Sequence, residues 1–215
     1  MVARTMMDGI RFVLAELDCA PQLVGVVGYG RMGARLAAQL AADHPVVVHD
    51  ADAANAGTAR ADGFPTRSLD GLLRDVDVVV GCTGNPILGE SDLADLDSPV
   101  LLINGASSDI EYPLWNRRTP DTMLPGSVGD AHRPWLNHYL VDTRRGHRLA
   151  NGGFPANFHH RVPAIPAHLF QVTRSLMLAG AAQVVTGPAH AGLVALDPEI
   201  QRVVAAAFTP IDGSR

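Results

Sequence analysis

The sequence predicts an α/β fold, a doubly wound parallel sheet followed by an irregular, partly hairpin C-terminal portion and closing helices. Three observations predict it. Short apolar runs at residues 23–27, 46–49 and 76–80 alternate with Ala- and Leu-rich helical stretches, the rhythm of strand, crossover helix and parallel strand in a sheet buried on both faces. The string Gly28-Tyr29-Gly30-Arg31-Met32-Gly33 joins the first such run to the first such stretch. An acidic residue, Asp50, closes the second run, about 20 positions beyond the glycines, as in Rossmann-type dinucleotide sites.

Each element follows in order. Residues 5–17 place Ile10, Val13, Leu14 and Leu17 at helical spacing behind Asp8 and Gly9, an amphipathic leading helix that needs a surface to pack on. After Pro21, residues 23–27 are a buried strand, 32–42 a helix, and 46–49 a second strand. Residues 52–61 make a short helix, 63–66 a third strand, 69–74 a helical turn, and 76–80 a strand that is apolar except at Asp77. A loop over 81–89 leads to a helical turn from Ser91 and to a buried strand over 100–103 that ends on Asn104-Gly105. Beyond about Ser107, Pro113, Pro120, Pro125 and Pro134 break the rhythm, and hairpin strands are expected at 139–142 and 147–150. A helix over 167–184 carries Leu169, Phe170, Val172, Leu176, Met177 and Gly180 as a buried stripe; a last helix covers 198–207, and the tail 209–215 is frayed.

Composition bounds the function. At 215 residues, 47% hydrophobic and 18% charged, the chain suits one well-buried domain: a leading helix over 1–20, a core over 21–106 and a second half over 107–215. A net charge of -5 with no basic run argues against nucleic acid, whose phosphates demand clustered positive charge. The apolar runs are strand-sized, far below the roughly 20 residues that span a bilayer, so no membrane segment is expected. The N-terminus lacks the layout of a signal peptide, which places the protein in the cytoplasm. All 17 residues counted as Lys or Arg are Arg, which excludes a lysine Schiff base and a lysine-bearing P-loop. Cys19 and Cys82 form no paired spacing, and no metal site is predicted.

The glycine string alone is a weak signal; its position makes it informative. Between an apolar strand and an Ala-rich helix, it lets a pyrophosphate meet free backbone N–H groups and the positive end of the helix dipole. Gly28 permits the tight turn, Gly30 the approach of phosphate, and Gly33 close packing of helix on sheet, with Arg31 and Met32 contributing helix N–H groups. Asp50 can accept hydrogen bonds from the adenosine ribose, and its charge repels a 2′-phosphate, favouring NAD; His49 and Arg60 nearby leave NADP open. FAD and S-adenosylmethionine sites also use this turn.

With Asp50 in place, the chain resembles the NAD-binding domain of S-adenosylhomocysteine hydrolase. Thr5-Met6-Met7-Asp8-Gly9-Ile10 looks like the helix leading into that domain, and Val27-Gly28-Tyr29-Gly30 is similar to its glycine turn. Asp50-Ala51-Asp52-Ala53-Ala54-Asn55-Ala56 is similar to its ribose-holding region, which implies a ribose contact for Asn55. Thr83-Gly84-Asn85 stands where the family has Thr-Gly-Cys or Thr-Gly-Asn beside the cofactor. The stretch Asn104 to Glu111 is similar to its Asn-x-Gly-His-Phe-Asp-x-Glu, Asn157 falls where an Asn fixes the nicotinamide amide, and Leu196-Asp197-Pro198-Glu199 resembles the start of a late helix.

The resemblance is incomplete in ways that bear on activity. The resemblance implies hydrolysis through a transient oxidation by tightly held NAD with residues of a second domain, which is not expected within these 215 residues. The His of its Gly-His-Phe is Ser107 here, and its C-terminal Lys and Tyr are absent. Thr83, Asn85, Asn104 and Ser107 are expected to flank the nicotinamide, beyond the carboxyl ends of the strands. His159 and His160, close behind Asn157, are candidate proton donors or acceptors, and Asp109 and Glu111 are candidate acid/base carboxylates, against a reading as loop-capping groups. The expectation is an NAD-dependent oxidoreductase-type enzyme acting on a small metabolite. The alternatives are a non-catalytic NAD-binding or regulatory module and the cofactor subunit of a split hydrolase. Apolar surface near Trp115, Trp135 and Phe154 predicts a homodimer or a partner protein that covers the cleft.

Overall fold

The computed structural model describes residues 2–125, 127, 132–158, 167–187 and 192–208. The chain divides into two compact units, Met1–Ala164 and Ile165–Arg215.

The first unit opens with helix α1 (Val2–Glu16), followed by strand β1 (Val24–Val27), helix α2 (Arg31–Leu40) and strand β2 (Val46–His49). Helices α3 (Ala53–Ala61) and α4 (Leu69–Leu73) precede strand β3 (Val78–Gly81), then helix α5 (Glu90–Ala94) and strand β4 (Leu101–Asn104). Strands β5 (Tyr139–Asp142) and β6 (His147–Leu149) follow a stretch of short 3-10 turns. The six strands line up as β2-β1-β3-β4-β6-β5. The first five run parallel and β5 returns antiparallel to β6 as the expected hairpin.

Why the strands are apolar throughout is visible in what covers them. Side chains alternate between sheet faces, so Val78 and Val80 join Met7, Ile10, Val13, Leu36 and Leu40 of α1 and α2 on one side. Val79 joins Leu72, Leu73, Leu93, Tyr112 and Leu149 on the other. With helices on both faces, no strand has a solvent side to mark with polar residues.

Polar residues in this region fasten elements together. Asp77, the polar residue at the head of the β3 run, accepts from the backbone N–H groups of Gln22 (2.7 Å) and Leu23 (3.0 Å), tying β3 to the entry of β1. Asp52 and Ser68 cap α3 and α4, accepting from Ala54 and Gly71. The surface that α1 required is the sheet and residues 156–158. His138 Nδ1 accepts from the Asn151 N–H at 3.2 Å, so its Nε2 carries the proton that bonds Glu16 at 2.9 Å, pinning the end of α1.

Residues 63–66 differ from expectation. They form no strand: Thr66 makes one parallel bridge to Val48, with Val48 N–H bonded to Pro65 O at 2.9 Å. Pro65 has no N–H to continue a ladder, and the chain turns away into α4.

The second unit contains helices α6 (Ala167–Thr186) and α7 (Pro198–Ala207). The Gln183 side chain links them, donating to Ala195 O (2.9 Å) and accepting from Asp197 N–H (2.8 Å), while Asp197 caps α7 with Pro198 in its first turn. The expected buried stripe on α6 is not buried: Phe170 is 37% and Met177 68% exposed. Apolar residues surround α6 rather than lining one side, and the shorter α7 covers only part of it. The tail 209–215 lies outside the described residues. No helix among the described residues is long and apolar enough to cross a membrane.

Candidate cofactor site

The glycine turn joins β1 to α2 next to the point where the chain order reverses. From β1 the chain moves outward to β2 and then returns to β3 on the other side of β1, which opens a crevice at the carboxyl ends of the strands. Gly28 adopts φ +96°, a left-handed conformation that glycine takes without strain. At Gly33 an added Cβ would fall 1.8 Å from Gly28 O, so α2 lies directly on the turn. Gly30 begins the helix with no side-chain cap and with open space where a Cβ would stand. The first-turn N–H groups of α2 are thus left for a ligand.

Asp50 organises the far side of the turn. Its carboxylate accepts from the N–H of Tyr29, from that of Asp52 at 2.8 Å and from Asn55 Nδ2 at 3.2 Å. A carboxylate has about four acceptor positions, so one remains for a hydroxyl donor. Tyr29 points away, its hydroxyl donating to Asp62 at 2.9 Å.

Two cavities lie on either side of the loop after β3. The first, about 440 Å³, is lined by Gly28, Gly30, Asp50, Asn55, Thr83 and Asn85 together with apolar Val27, Leu69 and Ile87. The second, about 340 Å³, is lined by Val2 and Met6 of α1, Met32, Thr83, Gly84, Ser107, Asn157 and Phe158, among others. Cys82 and Thr83 line both. Asn157 Oδ1 is buried and, among the described residues, has no hydrogen-bond partner.

Not every expected site residue reaches these cavities. Asn104 is fully buried and lines neither. Its amide donates to Ser108 O and to Gly153 O (2.7 Å) and accepts from Ala106 N–H (2.7 Å), so it holds the loop that carries Ser107. Arg31 is exposed and Gly33 buried, and neither lines a cavity. Asp109 faces Arg118 at 3.6 Å and accepts from Trp115 Nε1 at 3.4 Å, outside both cavities. Arg118 in turn packs over the rings of Trp115 and Phe154, and burial lowers its pKa against the pull of Asp109. Trp135 meets Phe154 edge-on at 5.6 Å, so of the three aromatics expected at an open surface Trp115 is the most open, at 51%. Glu111 is fully buried beneath the Thr83–Gly84 loop. His159 and His160 lie outside the described residues.

The lining contributions of Val2, Met6 and Cys82 were not legible in sequence. Apolar spacing on α1 signals packing, and nothing local says that its first turn ends at a cavity.

Residues 2–124 match the family model described as S-adenosyl-L-homocysteine hydrolase, NAD binding domain. The chain belongs to this family. Solved structures with similar regions include the dipicolinate synthase A chain from Bacillus subtilis, 20% identical with a TM-score of 0.41 over 49% of this chain and 39% of that one. L-tryptophan dehydrogenase from Nostoc punctiforme is 21% identical with a TM-score of 0.44, over 51% and 35% of the two chains. A putative D-3-phosphoglycerate dehydrogenase from Ralstonia solanacearum is 28% identical with a TM-score of 0.36, over 40% and 27%. The matched part spans less than half the length of each of these structures.

As an S-adenosyl-L-homocysteine hydrolase type NAD-binding domain, the chain takes NAD as its cofactor, and the residues present fit that ligand. The uncapped start of α2 suits a pyrophosphate, Asp50 and Asn55 suit ribose hydroxyls, and the apolar wall of Leu69 and Ile87 suits an adenine. The unpartnered Asn157 Oδ1 suits the amide N–H of a nicotinamide. Asp50→Ala is expected to weaken NAD binding by about 1–2 kcal/mol, the scale of hydrogen bonds to a charged group. Unchanged affinity by calorimetry removes Asp50 from the ribose role.

Proposed function

We propose that this chain is an NAD-dependent oxidoreductase-type enzyme acting on a small metabolite, with the nicotinamide and the reacting carbon meeting in the second cavity. The observation that carries this reading is Asn157, whose buried Oδ1 has no partner among the described residues and stands at the wall of a cavity that shares Cys82 and Thr83 with the glycine-turn cavity. Bound NAD supplies a hydride acceptor, and NADH a hydride donor. The chain's own residues bind the dinucleotide across the crevice, orient the nicotinamide through Asn157 and keep water from it with Val2, Met6 and Met32. Val2 and Phe158 line that cavity and are 46% and 42% exposed, which supports a second subunit closing it, with homodimerisation as the expected form. His159 and His160, just past Asn157 in sequence, are the proposed proton donors.

Native mass spectrometry of the purified protein is expected to report a retained dinucleotide and two subunits. NADH-linked turnover is expected with small carbonyl or hydroxyl substrates and is expected to fall on replacing His159 and His160. A protein that binds NADH but never exchanges a hydride overturns the enzymatic reading.

One observation favours a second reading, a non-catalytic NAD-binding module. Among the described residues that line the second cavity, Cys82 is the one ionisable side chain, and burial pushes its thiol up, away from reactivity. On that reading the protein binds NADH tightly, and replacing His159, His160 and Asp109 leaves its biological effect intact.

A further inference from the structure

Glu111 is fully buried at the end of the stretch that runs on from β4. Its Oε1 accepts from the N–H of Thr83 and from the N–H of Gly84 at 2.7 Å, and lies 3.0 Å from the Thr83 hydroxyl, whose single proton also faces Asn85 O at 2.8 Å. These belong to the loop between the two cavities, Thr83 lining both and Gly84 the second. The other oxygen, Oε2, is buried with no hydrogen-bond partner among the described residues. It presses on Gly81, where an added Cβ would land against it and 2.9 Å from the Tyr112 hydroxyl.

No Arg or His pairs with Glu111 among the described residues. The titratable groups that face it are the Cys82 thiol and the Tyr112 hydroxyl, both pushed up by burial and then by Glu111 itself. An ionised carboxylate here would bury a charge on an oxygen that receives nothing. A neutral acid buries no charge: its carbonyl oxygen offers two lone pairs to the two N–H donors, and its second oxygen carries the proton.

We propose that Glu111 is the positioning residue of the cofactor cleft, a neutral acid that holds the Thr83–Gly84 crossing through Oε1 and keeps its proton on Oε2. This rests on the NAD reading for the identity of the ligand. Burial raises the Glu111 carboxyl above its ordinary range, against the opposing pull of the Gly84 and Thr83 bonds. As pH rises through that raised value, the group ionises and a buried charge appears beneath a site for an anionic dinucleotide. NADH affinity therefore declines with rising pH.

The test is NADH fluorescence titration of the full chain from acidic to alkaline pH, with thermal melting followed in parallel. Glu111→Gln keeps the carbonyl and removes the charge, so it is expected to bind as the wild type does at low pH and to lose the decline. Glu111→Ala strips the acceptor from two backbone N–H donors and is expected to weaken binding by more than about tenfold, roughly the net contribution of one or two hydrogen bonds. Equal losses in the Gln and Ala variants, or identical pH profiles in wild type and Glu111→Gln, overturn the proposal. Should the Ala variant not fold, the comparison of wild type with Glu111→Gln decides alone. A wild type that binds no NADH at any pH overturns the NAD reading as well, whereas wild-type binding with no decline toward high pH overturns only the role given to Glu111.

Discussion

Gly33→Ala is expected to abolish cofactor retention and to lower the free energy of unfolding by about 3 kcal/mol, the upper part of the range for overpacking a well-packed interior. Its Cβ would stand 1.8 Å from Gly28 O, 2.8 Å from Gly28 C and 3.4 Å from Cys82 Cβ. The two nearest atoms are backbone, so no rotamer change relieves them. The start of α2 must lift from the turn, and the N–H groups facing the first cavity leave with it. A urea titration beside an NADH titration measures both losses, and an unchanged midpoint refutes the packing argument. Gly30→Ala is the internal contrast. Its Cβ meets nothing within 4 Å, and its φ of -72° suits any residue. The midpoint should hold while the methyl group, standing in the first cavity, weakens binding.

Gly9→Ala is expected to destabilise by about 2 kcal/mol and to weaken NADH binding together with stability. Two effects compete at this position. In a helix interior, Ala is favoured over Gly by roughly 0.5–1 kcal/mol. Against that, the new Cβ would lie 2.3 Å from Ala156 O and 2.9 Å from Asn157 N. The clash outweighs the propensity because α1 is held along its length by Met7, Ile10 and Val13 in the core and cannot retreat. The segment that gives way is 156–158, and it carries Asn157. A Gly9→Ala protein more stable than the wild type would show that α1 does not position that residue.

Much of the fold was legible because local chemistry dictated it. The expected bounds of α7 and of β5 match those observed: Asp197-Pro198 is a capped helix start, and Gly146 at φ +79° closes the hairpin turn that Asp142 braces. The strand runs were readable because a sheet covered on both faces accepts only apolar side chains. Where expectation and structure part, a long-range partner decides. Residues 63–66 stand where the alternation of elements calls for a strand, yet Pro65 limits them to one bridge with β2. The apolar residues of α6 read as a buried stripe because spacing records hydrophobicity and says nothing of how much surface a neighbour supplies.

The candidate site divides the same way. The cofactor half was readable from local chemistry: Gly28, Gly30 and Gly33 at their spacing, and Asp50 at the end of the next strand, are requirements of one turn and one crossover. Which polar residues line a cavity and which are spent on the protein depends on contacts made across the fold. Nothing local in the sequence separates Asn104, Asp109 and Glu111 from Asn85 and Asn157. Asn104 spends its amide on the loop after β4, Asp109 faces Arg118, and Glu111 carries the Thr83–Gly84 loop, while Asn157 keeps an oxygen with no partner among the described residues at a cavity wall. That distinction depends on hydrogen-bond partners up to 49 residues away in the chain, and no local pattern encodes them.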